Sequence, residues 1–259
     1  MKTALITGAS TGIGLEIARV MAREGHNLIL VARSEDKLRE LQTEIENTYK
    51  VQVNYLVKDL SEPNASLEVF NAIEQRQTQI DFLINNAGFG DFGDFSGADW
   101  NKLNSMIQLN ISTLTHLTKL FLPQMMARKN GRVLNVASVA AFQPGPYMAV
   151  YFATKAYVLS FSEALSGELY GSGVTVTALC PGPTESKFME VSNMNDSKFI
   201  KGKKLPSSLS VAEYGYKEMM KGNAVAIHGT VNYLLANLNR FVPRNWVVGI
   251  ARNLMKKSA

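Results

Sequence analysis

The chain has 259 residues, 46% of them hydrophobic, enough for one large α/β domain with a core of its own. A net charge of +5, spread along the chain and without a recognised nucleic-acid motif, argues against nucleic-acid binding. The single cysteine, Cys180, excludes an intramolecular disulfide and a cysteine-cluster metal site, and the three histidines show no ligand spacing, so no metal is expected.

Apolar, β-branched runs occur at Thr3–Thr7, Asn27–Val31, Val51–Val57, Asp81–Asn85, Arg132–Ala137, Val174–Cys180 and Ala224–Ile227. Segments with helical spacing of apolar residues alternate with them, at Ile13–Glu24, Glu35–Thr48, Ala65–Gln77, Trp100–Arg128, Ala149–Tyr170 and Val211–Lys221. The alternation predicts one α/β domain over residues 1–259, a doubly wound parallel sheet of about seven strands with helices on both faces. Strand order should reverse after the third strand and leave a crevice at the carboxyl ends. A strand pattern close to Met1, instead of a charged leader, and the absence of a long apolar run predict a cytoplasmic location. Glu185–Ser210 has no clear pattern and reads as a mobile substrate lid, and Gly229–Ala259 as an amphipathic extension.

The first strand runs into Gly8-Ala9-Ser10-Thr11-Gly12-Ile13-Gly14 and a helical pattern starts at once. Glycines there permit a tight turn and close backbone approach, while free amides and the positive helix end stabilise a pyrophosphate. An ordinary glycine turn is the competing reading. Tyr151 and Lys155, four residues apart, share a helix face. A phenol has a reference pKa of about 10, so an ammonium neighbour is expected to draw the Tyr151 pKa down toward the working range. Ser138, at the end of the fifth strand, can hydrogen-bond a substrate oxygen as charge develops. Taken singly, Ser138 could equally cap a helix, Asn110 face solvent, and Tyr151 with Lys155 form an exposed pair.

The spacing Gly8-x-x-x-Gly12-x-Gly14 after Thr7, with Asn85-Asn86-Ala87-Gly88, Ser138 and Tyr151-x-x-x-Lys155 in order, resembles the short-chain dehydrogenase/reductase family over nearly the whole chain. The resemblance implies a single-domain Rossmann-type fold and NADP(H)-dependent hydride transfer between nicotinamide and a carbonyl or secondary alcohol. It implies catalysis by Asn110, Ser138, Tyr151 and Lys155, with Asn110 at a helix distortion that holds a water in a proton relay. Cofactor contacts are implied at Gly8, Ser10, Thr11, Gly12, Ile13, Gly14, Arg33, Asp59, Leu60, Asn86, Ala87, Gly88, Tyr151, Lys155, Pro181, Gly182 and Thr184. Ala32-Arg33-Ser34 stands where NAD-dependent members commonly carry an acidic residue, which favours a 2′-phosphate and hence NADP(H). Many NADP-dependent members also have a basic residue where this chain has Thr11. The competing readings are a solvated Arg33 beside Glu35 or Asp36 and an Asp59 that caps a helix.

Phe89, Phe92, Phe95, Phe142, Met148, Phe188, Met189 and Met194 suggest an apolar ketone, aldehyde, 3-oxoacyl or steroid-like substrate, although such residues also fill ordinary cores. Lys187, Lys198, Lys201, Lys203 and Lys204 could receive a carboxylate or phosphate on it, a solvated charge run being the simpler reading. In the tail, Val231, Leu234, Leu235, Leu238, Phe241, Trp246, Ile250 and Leu254 alternate with Arg240, Arg244, Arg252, Lys256 and Lys257. Oligomer contact or packing beside the lid is weighed above peripheral membrane contact there. The family resemblance implies a homodimer or homotetramer through Trp100–Arg128 and Ala149–Tyr170. An NADP(H)-binding regulatory module without turnover is the alternative function.

Overall fold

The computed structural model describes residues 1–192, 205–239 and 241–255. The first half runs β1 (Thr3–Thr7), α1 (Gly12–Arg23), β2 (Asn27–Ala32), α2 (Glu35–Thr48), β3 (Val53–Val57), α3 (Ala65–Gln75) and β4 (Phe82–Asn85). There follow α4 (Trp100–Ile107), a π-helical segment (Gln108–Thr113), α5 (Leu114–Ala127), β5 (Gly131–Val136), α6 (Ala149–Glu168) and β6 (Val174–Cys180). The chain continues through a short α7 (Phe188–Val191), α8 (Ser208–Lys221), β7 (Val225–Ile227), α9 (Thr230–Leu238) and α10 (Arg244–Met255).

All strand pairs are parallel and the order is β3-β2-β1-β4-β5-β6-β7, the expected seven-stranded doubly wound Rossmann-type sheet. A sheet covered on both faces needs apolar side chains on both, which is why its strands read as unbroken apolar runs. In β2, Leu28 and Leu30 pack into one layer with α1, α2 and α8, while Ile29 and Val31 enter the other with α3 and α5. Each such side chain fully removed from water contributes about 1.5–3 kcal/mol.

Several boundaries differ from expectation. β3 starts at Val53 instead of Val51, although the Gln52 carbonyl still accepts the Leu28 N–H at 2.9 Å. Trp100–Arg128 is not one regular helix: a π-helical segment containing Asn110, where the family resemblance implied a distortion, separates α4 from α5. α8 begins at Ser208, ahead of Val211, because the Ser207 hydroxyl accepts the Ser210 N–H at 3.2 Å and caps it. The segment read as a lid therefore gives its last residues, Ser208–Ser210, to α8, and Phe188–Val191 within it is helical.

Between β1 and β4 the connections diverge to opposite faces, and polar side chains tie the two strand ends together. Buried Thr7 donates to the Ile84 carbonyl at 3.2 Å, and its oxygen accepts the N–H groups of Asn86 at 2.9 Å and Ala87 at 3.0 Å. Asn86 Nδ2 donates back to the carbonyls of Thr7 at 2.9 Å and Gly8 at 3.2 Å. One layer deeper, Asn85 donates to Asn135 at 2.9 Å and to Thr118 at 3.0 Å, fixing β4 to β5 and α5. Thr7→Val keeps the shape but leaves the Ala87 N–H without its acceptor and the Asn86 N–H with the Ile84 carbonyl alone, at 3.1 Å, and is expected to lower unfolding free energy by about 1–3 kcal/mol. A fall in the guanidinium midpoint at constant slope measures this; an unchanged midpoint would show that the clasp contributes nothing to stability.

Candidate active site

A cavity of about 440 Å³ opens at the carboxyl ends of the strands. The glycine loop forms one wall: Gly8, Ser10, Thr11, Gly12 and Ile13 all line it. Gly8 has φ +65°, and a Cβ there would stand 2.8 Å from Asn86 Nδ2. Gly14 lies behind the wall, outside the lining, where a Cβ would strike Gly8 O and Asn86 Nδ2, so its small size brings α1 against the loop. Thr11 takes the N-cap position of α1 without a side-chain hydrogen bond to the helix, and no acidic residue sits in the first turn. The helix start is therefore suited to an anion. These features fit a pyrophosphate.

At one end of the cavity stand Arg33, Ser34 and Asp59, with Leu60 beside them. Arg33 is exposed and approaches Asp59 at 3.5 Å, not Glu35 or Asp36. Asp59 caps no helix. It accepts from Ser61 N at 2.9 Å and Ser61 Oγ at 2.6 Å, closing a turn, while α3 is preceded by Asn64. Burial works to raise the Asp59 pKa, but the hydrogen bonds from Ser61 and the charge of Arg33 outweigh it and hold the carboxyl below its usual range. Lys37 and Lys58 also line this end. Neither was singled out in the sequence; the available signal was that Lys37, three residues after Ser34, falls in the first turn of α2.

Further along, Asn86, Ala87 and Gly88 line the floor, and Pro181, Gly182 and Thr184 the opposite side. Thr184 Oγ1 donates to the Gly182 carbonyl at 2.9 Å, so the turn is held internally. Cys180, directly before it, is fully buried, and burial pushes its thiol up to about 12, in keeping with a core residue.

Ser138, Tyr151 and Lys155 meet at the inner end of the cavity. Ser138 leaves β5 in an extended conformation and accepts the Ala140 N–H at 3.1 Å, so it does cap a turn, the 3₁₀ segment Val139–Phe142, while its hydroxyl also faces the Tyr151 phenol. Tyr151 and Lys155 occupy the first two turns of α6 and both are buried, which rules out an exposed pair. Lys155 Nζ donates to the Val136 carbonyl at 2.7 Å and lies 5.8 Å from the Tyr151 ring centre.

Asn110 is buried within the π-helical segment, so it is not a solvated residue. Its amide donates to the Phe89 carbonyl at 3.0 Å and to Thr154 at 3.0 Å, and its oxygen accepts the Phe89 N–H at 3.2 Å. It lies behind the lining, beyond Gly88. A Cβ on Gly88 would meet Asn110 Oδ1 at 2.9 Å and Lys155 Nζ at 3.5 Å, so the missing side chain lets the two amino-acid positions converge.

The expected lowering of the Tyr151 pKa is not what the protein's own groups produce. Burial pushes the phenol up to about 12, with the Ser138 hydrogen bond opposing it, and burial pushes Lys155 down to about 8. Loss of hydration is the dominant effect at both groups.

Of the apolar residues expected around a substrate, Phe89, Met148, Phe188 and Met189 line the cavity. Phe92 is buried beside Tyr147 instead, Phe142 packs under α9, and Phe95 is 66% exposed away from the cavity. Lys187 lines the cavity, whereas Met194, Lys198, Lys201, Lys203 and Lys204 lie outside the described residues, as do Arg240, Lys256 and Lys257 of the tail. Unexpected contributions come from Phe152 of α6 and from Ala251, Leu254 and Met255 of α10.

Residues 2–197 match the family described as short chain dehydrogenase. The chain belongs to that family. A hydroxysteroid dehydrogenase-like protein 1 of Gallus gallus is 33% identical over 75% of this short-chain dehydrogenase and 59% of its own length, so the chain spans about six-tenths of that relative. A solved short-chain dehydrogenase from Sphingobium yanoikuyae, in complex with NADPH, is 29% identical with a TM-score of 0.83, covering 100% of this chain and 98% of that one. The bulky-bulky ketone specific alcohol dehydrogenase from Comamonas testosteroni is 27% identical with a TM-score of 0.79, covering 100% and 97%.

Because the folded pKa of Lys155 is depressed, its charge opposes folding. The penalty is full below about 8 and fades as pH rises toward the unfolded value of 10.5. Lys155→Met is therefore expected to stabilise this short-chain dehydrogenase by about 2 kcal/mol at neutral pH. Urea unfolding should show that gain shrinking as pH rises from 7.5 to about 10; a gain independent of pH, or a loss at neutral pH, would contradict the buried-charge assignment.

Proposed function

We propose that the chain is an NADP(H)-dependent oxidoreductase acting on a carbonyl or secondary alcohol, working mainly as a reductase of an apolar ketone, aldehyde, 3-oxoacyl or steroid-like compound. The observation that carries this reading is one continuous cavity with an anion-ready helix start and Arg33 at one end, and Ser138, Tyr151 and Lys155 at the other. Of the named relatives, one is in complex with NADPH, one is a bulky-bulky ketone specific alcohol dehydrogenase and one is named hydroxysteroid dehydrogenase-like, which agrees with that chemistry.

The glycine loop would hold the pyrophosphate, Arg33 with Ser34 and Lys37 the 2′-phosphate, Asp59 and Leu60 the adenine side, and Asn86 to Gly88 the inner ribose. Pro181, Gly182 and Thr184 would face the carboxamide. The bound dinucleotide supplies the hydride. Ser138 Oγ hydrogen-bonds the substrate oxygen and orients it toward Tyr151, whose phenol gives that oxygen its proton. A phenol held near 12 keeps its proton at neutral pH, the form that donation to the substrate oxygen requires. Lys155 then stabilises the phenolate by its charge, and Asn110 anchors the far side of the proton path through Lys155. Phe89, Met148, Phe188 and Met189 receive the apolar body of the substrate, with the segment after Thr184 acting as its cover.

The working form is a homodimer or homotetramer in the cytoplasm, joined through α5 and α6, where half-exposed Tyr157 stacks on Phe161 at 5.9 Å and Met126 is 45% exposed. Oxidation of NADPH and NADH over ketones and aldehydes of increasing chain length tests the reading. Turnover that prefers NADPH and improves with apolar bulk is expected, and Arg33→Ala should narrow the NADPH preference by roughly tenfold through KM. Preference for NADH, or turnover confined to small hydrophilic sugars, would contradict it.

A further inference from the structure

More than half of the exposed large apolar side chains among the described residues fall in the span 231–254. Leu234, Leu235 and Leu238 of α9 are 56–61% exposed, and beyond them Phe241 is 84%, Trp246 66% and Ile250 57% exposed. This concentration in one stretch of chain departs from the singly scattered apolar residues of an ordinary surface.

The charge of this span narrows what can cover it. From Gly229 to Ala259 there is no Asp or Glu, while Arg240, Arg244, Arg252, Lys256 and Lys257 carry five positive charges, equal to the +5 of the whole chain. A second copy would bring this basic, acid-free stretch of chain against its own like, whereas an anionic lipid surface complements it and accepts apolar and aromatic side chains beside the headgroups. Among the described residues no helix is long and apolar enough to cross a membrane, so the contact would lie in the interface.

We propose that α9 and α10 form a docking face for an anionic lipid surface. α10 turns Ala251 and Met255 inward onto the cavity, and Leu254, 49% exposed, belongs to both the cavity lining and the outer face. The docked face thus borders the cavity mouth, where an apolar molecule dissolved in lipid could enter without crossing water.

The test is cosedimentation of the full chain, without substrate, with phosphatidylcholine vesicles and with vesicles containing a share of phosphatidylglycerol, so it does not depend on the proposed activity. Wild type should pellet with the anionic vesicles and release as salt rises. Two sets of substitutions, L238S/W246S/I250S and R244E/R252E, should each weaken partitioning by roughly tenfold or more while circular dichroism and melting match wild type. Wild type remaining in the supernatant with both vesicle types would overturn the proposal. So would a fall in oligomer size with L238S/W246S/I250S at unchanged vesicle binding, which would make the face a contact between copies.

Discussion

Between β1 and β4 neighbouring strands send their connections to opposite faces of the sheet, and the gap that this leaves lets a long ligand reach both halves of the domain. Holding that gap open without letting it wet the core needs backbone groups paired by side chains, since no further strand is there to pair them. Thr7 and Asn86 meet that need, and by doing so they set the heights of the glycine loop and of Gly88 relative to one another. The glycines follow from this closeness: at Gly8 and Gly14 the Asn86 amide already occupies the space a Cβ would take.

The same burial that shapes the inner end of the cavity sets its proton chemistry. Tyr151 is kept protonated and Lys155 is held near the point of losing its charge, so the pair stores a strained charge state in a dry site. On the proposed reading this favours proton donation over abstraction until a further positive charge arrives. Asn110 enters by a structural route: the π-helical segment turns its amide onto Phe89 and Thr154, tying α4 and α5 to the start of α6.

Strand order and layers were legible in the sequence because a sheet buried on both faces leaves unbroken apolar runs, and the glycine loop because its spacing sits at a strand-to-helix junction. The π segment was legible only through the family resemblance, which implied a helix distortion at Asn110, since one inserted residue barely disturbs apolar spacing over Trp100–Arg128. The direction of the Tyr151 shift was missed for a related reason: sequence shows a lysine four residues away but not how dry the site is. The α10 residues Ala251, Leu254 and Met255 reach the cavity through tertiary placement that no local pattern encodes, whereas Lys37 had a local signal in its place in the first turn of α2. The amphipathic tail was visible as a pattern, but the extent of its uncovered face was not.

The central claim is that Tyr151 carries the proton in a site otherwise complete without it, and Tyr151→Phe isolates that hydroxyl. NADPH binding, followed by fluorescence titration, and turnover of an apolar ketone should be measured on the same preparation. The account predicts affinity within a few-fold of wild type with turnover reduced by roughly 10²- to 10⁴-fold. Turnover within a few-fold of wild type would contradict it.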